Sequence, residues 1–239
     1  MNLARNLERS AAWFPDNLAV VEEAGGLSYA ELDRQAGLAA AGLKALGLAP
    51  GDRVALCAPN SGEWLAFYFG VLKLGAVAVT LSSQLTPDEL SLLLGHCRPR
   101  ALYASANRLP ELAGIVPQTG IERVICPGGD LDFAGLLALA KGEELRAVER
   151  DRDDVAAVLY TGGTTGLPKG VMLSHQNINA AIHNVVYQEQ SNPRDRALCF
   201  LPFNHVFGQM HIMNATILSG GGVVLLPAFD LDKVMAAIA

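Results

Sequence analysis

Charged and aromatic residues are scarce in this sequence. Only 18% of its 239 residues are charged and 6% are aromatic, and 24 acidic side chains outnumber 18 basic ones to leave a net charge of −6. The basic residues are scattered, whereas nucleic-acid binding needs a clustered basic surface and attraction to anionic membranes needs a polybasic segment. The composition therefore argues against both kinds of partner.

Cysteine is also rare and does not occur in closely spaced pairs. The four cysteines, Cys57, Cys97, Cys126 and Cys199, form no C-x-x-C motif, and no histidine stands at zinc-ligand spacing from them. This pattern argues against a disulfide framework and against a structural zinc site. It predicts reduced, mostly buried thiols in a cytoplasmic protein.

The sequence lacks a long apolar run without charges. Its N-terminus has no apolar core of a secretory signal, and the most apolar stretch, residues 64–81, contains Lys73 near its middle and Gly75 shortly after it. A membrane-spanning helix needs about 20 largely uncharged residues. We therefore expect no transmembrane segment, but a buried helix followed by a buried strand.

What the sequence has is a regular alternation of apolar strands and amphipathic helices, with 51% hydrophobic residues overall. This pattern predicts an α/β fold with largely parallel sheets and helices on both faces. The predicted strands are 53–58, 76–80, 100–104, 121–126, 155–160, 170–173, 196–201 and 222–226. The predicted helices include 62–74, 175–189 and 206–218.

Local signals mark several helix starts. Residues 28–31 carry the pattern of a capping box, and residues 86–89 repeat it with Pro87 at the first helical position. Ser174 and His175 are expected to cap the helix 175–189.

A charged stretch near residue 150 divides the chain. Residues 1–150 are expected to form a first α/β subdomain, and residues 151–239 the start of a second one. The last segment, FDLDKVMAAIA, begins a helix at Asp230 or Leu231 and stops without the glycine or the basic residues that usually end helices. We therefore expect a truncated chain without the C-terminal domain, whose uncovered apolar face favours self-association.

The stretch YTGGTTGLPKG, residues 160–170, lies between two apolar segments. It is not a Walker A loop, because Pro168 stands where that motif has glycine and Gly170 where it has serine or threonine. No window of it matches a Rossmann G-x-G-x-x-G turn, and an ordinary hairpin loop has only about two to five residues. Glycines that let the backbone approach an anion, together with hydroxyl groups and a lysine charge, indicate a clasp for a polyphosphate.

The longer stretch YTGGTTGLPKGVMLSH resembles the phosphate-loop signature of the adenylate-forming superfamily: acyl-CoA synthetases, 4-coumarate–CoA ligases, luciferases and adenylation domains of peptide synthetases. Gly162 stands where the usual signature has serine. Residues 27–79 are similar to the N-terminal region of this family, and LPFNHVFGQ, residues 201–209, resembles the motif that follows its loop. The family also carries a Y-G-x-T-E segment, a T-G-D segment and a C-terminal domain with a catalytic lysine, none of which occurs in this sequence.

The resemblance implies the N-terminal portion of a fatty-acid–CoA ligase that uses ATP, Mg²⁺ and coenzyme A and forms an acyl-adenylate. The phosphate contacts that it implies come from Gly162, Gly163, Thr164, Thr165, Gly166 and Lys169. Thr161 is implied both as a nucleotide contact and as a Mg²⁺ ligand. His205 is implied as the catalytic-site histidine, which shapes the acid pocket and gates coenzyme A.

The acid itself is less defined by the sequence. Val206, Phe207 and Met210 flank the pocket candidate and favour a fatty acid first and a coumarate-like aromatic acid second, whereas His211 is expected to point elsewhere. Two alternatives stay open, a carrier-loading adenylation domain and a nucleotide-binding module without catalysis. Because the adenine, ribose and lysine segments are missing, the chain alone is expected to make no acyl-CoA.

Overall fold

The computed structural model describes residues 1–23, 25–162, 168–226 and 229–238. The strands are β1 Leu18–Glu22, β2 Gly25–Ser28, β3 Arg53–Cys57, β4 Val77–Thr80, β5 Ala101–Ala104, β6 Arg123–Ile125, β7 Val155–Thr161, β8 Lys169–Ser174, β9 Arg196–Cys199 and β10 Gly222–Leu225. The α-helices are α1 Arg5–Trp13, α2 Tyr29–Ala45, α3 Gly62–Leu74, α4 Pro87–Cys97, α5 Leu109–Ile115, α6 Phe133–Leu139, α7 His175–Glu189, α8 Ala215–Ser219 and α9 Leu231–Ile238. Short 3₁₀ turns lie at Ala106–Arg108 and Val116–Gln118, and a π-helix lies at Phe207–Asn214.

The larger sheet has six strands in the order β6-β5-β3-β4-β7-β8. All neighbouring strands in it run parallel except β8, which pairs antiparallel with β7 at the edge of the sheet. Every residue of β4 and β5 is buried, as expected for parallel strands that are covered on both faces. The predicted α/β class is confirmed.

The smaller sheet has four strands in the order β2-β1-β10-β9. Strands β1, β10 and β9 run parallel, and β2 pairs antiparallel with β1. Strands from both sides of residue 150 pair within each of the two sheets. The predicted boundary near residue 150 stays a prediction about separate folding units.

Helix α3 contacts both sheets and forms the centre of the core. It packs against β1 of the smaller sheet and against β3 and β4 of the larger one, and Glu63 is its one residue that is not buried. Gly70 lets α2 come close, because a Cβ atom there would lie 2.7 Å from the Cβ atom of Ala39. The apolar stretch 64–81 is therefore a core helix followed by β4, as predicted. Within the described ranges, no helix combines the length and apolarity needed to cross a bilayer.

Helix starts follow the predicted signals. The N–H of Glu31 donates to the Ser28 hydroxyl at 3.2 Å where α2 begins. Thr86 and Glu89 form a complete capping box at the start of α4, and Ser174 caps α7. These three predicted helix starts are confirmed. They could be predicted because caps depend on contacts within one turn of the chain.

The predicted helix 206–218 differs from the structure. It consists of the π-helix Phe207–Asn214 followed by the short helix α8. The side chain of Asn214 is buried and donates to the carbonyl of Gln209 at 2.9 Å, five residues earlier. A buried side chain thus satisfies a carbonyl within the wider turn, which an apolar periodicity does not reveal.

The cysteines agree with the prediction of buried, reduced thiols. All four are free and buried. Burial raises the pKa of Cys57, Cys97 and Cys199 to about 11. These thiols therefore stay protonated at neutral pH and behave as small apolar side chains.

His175 is not the cap that the sequence indicates. It is the first residue of α7, and its imidazole is fully buried. The N–H of Leu3 donates to its Nδ1 atom at 3.1 Å, which ties the N-terminal segment to α7. Burial, together with the nearby Arg150 charge, lowers the pKa of His175 to about 4.

The buried imidazole should make stability depend on pH. As the pH falls from 7 to 5, we expect His175 to lower the free energy of unfolding by about 1–2 kcal/mol. The reason is that the unfolded chain takes up a proton near the ordinary pKa of 6.5, whereas the folded chain does so only near 4, where the loss levels off. Urea unfolding of the wild type and of His175→Gln at several pH values measures this difference. The matched control is His183→Gln, at an exposed position of the same helix; equal pH slopes for wild type and His175→Gln would contradict the prediction.

Candidate functional site

The predicted phosphate loop begins and ends on two residues that oppose each other. Strand β7 ends at Thr161 and β8 begins at Lys169, and the antiparallel register pairs these two residues directly. Directly opposed residues in such a pair have Cβ atoms about 4.5–5.5 Å apart and share one face of the sheet. Both residues are exposed. A hydroxyl and an ammonium group are therefore presented side by side at the base of the loop.

The connection between these two residues covers 162–168. It joins an antiparallel hairpin but exceeds the about two to five residues that are usual for hairpin loops. Gly162 is exposed, and a Cβ atom added there would meet no atom within 4 Å. The predicted contacts Gly163, Thr164, Thr165 and Gly166 lie outside the described residues, so their roles stay predictions.

The loop leaves the carboxyl edge of the parallel strands. Strands β3, β4, β5 and β7 all end at this edge because they run in the same direction. The last residue of β4, Thr80, pairs with Leu159, two residues before Thr161. In open α/β sheets, ligands bind outside the carboxyl ends of the strands. The position of the loop is thus one at which a nucleotide can be held.

Residues 200–206, which we call the His205 segment, are held at the same edge by Asn60. Asn60 lies in the turn after β3; its Nδ2 atom donates to the carbonyl of Leu201 at 2.8 Å, and its Oδ1 atom accepts the N–H of Phe203 at 2.8 Å. The ring of Phe203 is buried and lies 5.1 Å from the ring of Trp64 in α3. One side-chain amide and one aromatic contact therefore fix the His205 segment beside β3.

Gln209 provides a second tether. Its side chain is fully buried, and Nε2 donates to Thr80 Oγ1 at 3.1 Å and to the carbonyl of Phe203 at 2.7 Å. Since Thr80 ends the strand next to β7, these bonds bring the His205 segment near the base of the phosphate loop. Gly208 makes the approach possible, because a Cβ atom there would lie 2.6 Å from the carbonyl oxygen of Pro202.

His205 itself is exposed, and its Nδ1 atom accepts the N–H of Phe207 at 3.2 Å. His211 bonds to Glu189 of α7 at 2.8 Å, and its ring also stacks on that of Phe207 with the ring centres 4.3 Å apart. Of the three apolar residues predicted beside the acid pocket, Met210 is buried in the core, whereas Val206 and Phe207 are about half exposed at 52% and 46%. Met210 is therefore a packing residue, and the other two stay accessible near His205.

The residues present fit a metal ion only if a nucleotide supplies most of its ligands. In the part of the chain that the structure describes, no group of three or more His, Cys, Asp or Glu side chains could hold a metal. Thr161 offers one neutral hydroxyl oxygen at the base of the loop. Mg²⁺ prefers an octahedral oxygen shell that is often completed by substrate phosphates and water, so a magnesium–nucleotide complex fits this donor better than a free ion.

The two tethers, Asn60 and Gln209, were not predicted as functional residues. The sequence indicates only that Asn60 stands where a helix opens and that Gln209 is the last residue of the stretch 201–209, which contains His205. Their partners lie 141 and 129 residues away in the chain. No local pattern carries that information, because the contacts exist only after both sheets have formed.

Nearly the whole chain matches one protein family. The protein family described as AMP-binding enzyme matches residues 7–239. The long-chain-fatty-acid–CoA ligase FadD13 of Mycobacterium tuberculosis is 34% identical over 246 aligned residues, which cover 99% of this chain and 47% of that protein. Feruloyl-CoA synthase of an Amycolatopsis species is 35% identical over 231 residues, which cover 96% of this chain and 45% of that protein.

A solved structure gives the same result for the fold. The crystal structure of ATP-bound MatB from Rhodopseudomonas palustris superposes with a TM-score of 0.86 at 33% sequence identity, covering 100% of this chain and 48% of that one. The chain thus spans about half the length of the relatives that it matches.

Proposed function

The chain belongs to the AMP-binding enzyme family, and from this premise we propose that it is the N-terminal part of an ATP-dependent acyl-CoA ligase. The observation that carries the proposal is the direct pairing of Thr161 with Lys169 at the carboxyl edge of the larger sheet. The comparisons support the reaction class, because both relatives named above are acid–CoA ligases or synthases. The substrates would be a carboxylic acid, ATP and coenzyme A.

The proposed reaction has two steps. A carboxylate oxygen attacks the α-phosphorus of ATP, and the bond from that phosphorus to the bridging oxygen of pyrophosphate breaks. The coenzyme A thiolate then attacks the acyl carbon, and AMP leaves with the oxygen that it shared with the acyl group. The first step needs positioning and stabilisation of negative charge more than it needs a protein nucleophile.

Lys169 and Thr161 would serve the first step. The Lys169 ammonium is a mobile point charge that can follow the β- and γ-phosphate oxygens as charge develops on the leaving pyrophosphate. Backbone N–H groups near Gly162 would add donors without a side chain in the way. The Thr161 hydroxyl would hold Mg²⁺, which when bound neutralises phosphate charge and orients the nucleotide.

His205 would act at the acid rather than on the phosphates. Its ring is accessible and is oriented by the N–H of Phe207, and the exposed Val206 lies beside it. We place it at the carboxylate end of the acid pocket, where it shapes the pocket and gates the later approach of coenzyme A. We do not assign it the role of a general base.

The acid is proposed to be a medium- or long-chain fatty acid. The apolar side chains of Val206 and Phe207 and the fatty-acid ligase among the relatives favour it. An aromatic acid of the coumarate type is the second candidate, because feruloyl-CoA synthase is equally similar. ATP–pyrophosphate exchange by the full-length protein with a series of fatty and aromatic acids tests both. Exchange with none of these acids would count against the proposed function.

The 239-residue chain by itself is expected to produce no acyl-CoA. It covers 47% of the length of the fatty-acid ligase named above, so more than half of such an enzyme is not represented in it. Incubation with ATP, Mg²⁺, coenzyme A and the same acids, followed by thioester detection, checks this. Steady thioester formation above a control without protein would show that the chain is competent alone. Self-association and a cytoplasmic location stay predictions. The exposed Val171 and Met172 on edge strand β8 favour self-association.

A further inference from the structure

Tyr160 lies directly before Thr161 in β7, and its side chain is bonded to helix α4. Because side chains alternate along a strand, the Tyr160 ring projects from the face of the sheet opposite to that of Thr161. Its hydroxyl lies 2.6 Å from Nδ1 of His96, and the two rings meet edge-on with their centres 5.7 Å apart. The strand that carries the phosphate loop is thus attached to α4 at its last turn.

The same ring also covers the second strand of the hairpin. Tyr160 pairs with Gly170 across the hairpin, and a Cβ atom added at Gly170 would lie 3.4 Å from the Cζ atom of Tyr160. Gly170 follows Lys169, so the ring touches both strands at the base of the loop. Burial raises the pKa of Tyr160, which keeps its hydroxyl protonated and able to donate to the imidazole.

Helix α4 offers a fixed attachment point for this bond. Its start is held by the capping box of residues 86–89, and its own side chains Leu90, Leu94 and Cys97 are buried. At its end, the guanidinium of Arg53 in β3 donates to the carbonyl of Cys97. His96 is therefore held by a helix that is anchored to the middle of the larger sheet.

We propose that His96 and Tyr160 are a positioning pair. Their hydrogen bond, on the sheet face opposite to Thr161 and Lys169, fixes the base of the phosphate loop so that Thr161 and Lys169 face the nucleotide. The inference rests on the proposed function and extends it to two residues outside the clasp. Neither residue lies on the face that carries Thr161 and Lys169, so neither contacts the reacting atoms. Loss of this hydrogen bond should raise KM for ATP and leave KM for the acid unchanged.

Steady-state ATP–pyrophosphate exchange by the full-length protein tests this, with KM for ATP and KM for the acid measured separately. Tyr160→Phe and His96→Ala should each raise KM for ATP about three- to tenfold, the range expected for one hydrogen bond. The double variant should be no worse than either single variant, since both remove the same bond. His96→Asn should restore most of the ATP affinity, because its amide oxygen can accept from the tyrosine hydroxyl.

Tyr187→Phe and His183→Ala are matched controls at exposed positions of α7 and should keep the wild-type KM values. Melting temperatures identify any variant that acts through unfolding, and Tyr160→Phe, which keeps the ring, then decides the question. Three results would overturn the proposal that these residues are a positioning pair. They are additive effects of the two single variants on KM for ATP, an equal rise in both KM values, and an unchanged KM for ATP in Tyr160→Phe. If the wild type exchanges and Lys169→Ala does so about ten- to a hundredfold less efficiently, such a result overturns only this inference. A wild type that never exchanges removes the proposed function and the inference with it.

Discussion

Replacing Lys169 with alanine is expected to lower kcat/KM for acyl-adenylate formation about ten- to a hundredfold in the full-length enzyme. The lysine is exposed at the start of β8, opposite Thr161, and we place its charge on the leaving pyrophosphate. Losing a hydrogen bond to a charged group costs about 1.5–3 kcal/mol. Because pyrophosphate departs before coenzyme A reacts, thioester formation from supplied acyl-adenylate should stay near the wild-type rate.

Variants at Lys44 and Thr161 show whether the effect of Lys169→Ala is specific. Lys44→Ala removes an exposed lysine in the last turn of α2 and should leave both steps unchanged.

Thr161→Val should weaken the response to Mg²⁺ in the first step, whereas Thr161→Ser keeps the hydroxyl and should behave like the wild type. Melting temperatures are measured alongside. Stable Lys169→Ala protein that adenylates at the wild-type rate would show that the loop does not hold the phosphates as proposed.

Replacing Lys73 with methionine is expected to lower the free energy of unfolding by about 3–5 kcal/mol. Lys73 lies near the end of the core helix α3 and is only 2% exposed. Its Nζ atom lies 2.8 Å from a carboxylate oxygen of Asp33 and 3.7 Å from one of Glu8. Removal of the ammonium leaves two partly buried carboxylates, 17% and 24% exposed, without this opposite charge. Removing one partner of a buried ion pair costs more than replacing the whole pair.

Guanidinium unfolding measures this loss, with Lys44→Met as the control for a lysine-to-methionine change at an exposed site. The triple variant Glu8→Gln, Asp33→Asn, Lys73→Met should recover much of the stability, because no uncompensated charge then remains. A single variant within about 1 kcal/mol of the wild type would contradict the prediction, since a typical surface substitution changes stability by less than that. The same lysine was the reason to expect a core helix rather than a membrane span in this stretch.

Much of the local structure was predictable from the sequence, because the residues that start and end a helix lie close to one another in the chain. Helices α3 and α7 have the bounds that the pattern indicates, 62–74 and 175–189. Their caps and breakers act over three or four residues, so they are readable without knowledge of the fold. Helix α1 and the β1–β2 hairpin were not predicted. Helix α1 has no side-chain cap at its start, so it carries no start signal. Only two residues of β1 and none of β2 are buried, so the hairpin shows no clear apolar period.

The sequence by itself determined the α/β class, which follows from apolar periodicity, and the family, which follows from the resemblance of residues 160–175 to a known signature. It also places Thr161 and Lys169 at the ends of the glycine-rich stretch. Only the tertiary structure decided that Thr161 and Lys169 oppose each other and that Asn60 and Gln209 tie the His205 segment to the same sheet edge. It also decided that His175 is a buried link rather than a cap. Strand register and contacts over more than a hundred residues depend on which elements become neighbours, and that choice is made by packing of the whole core rather than by any local pattern.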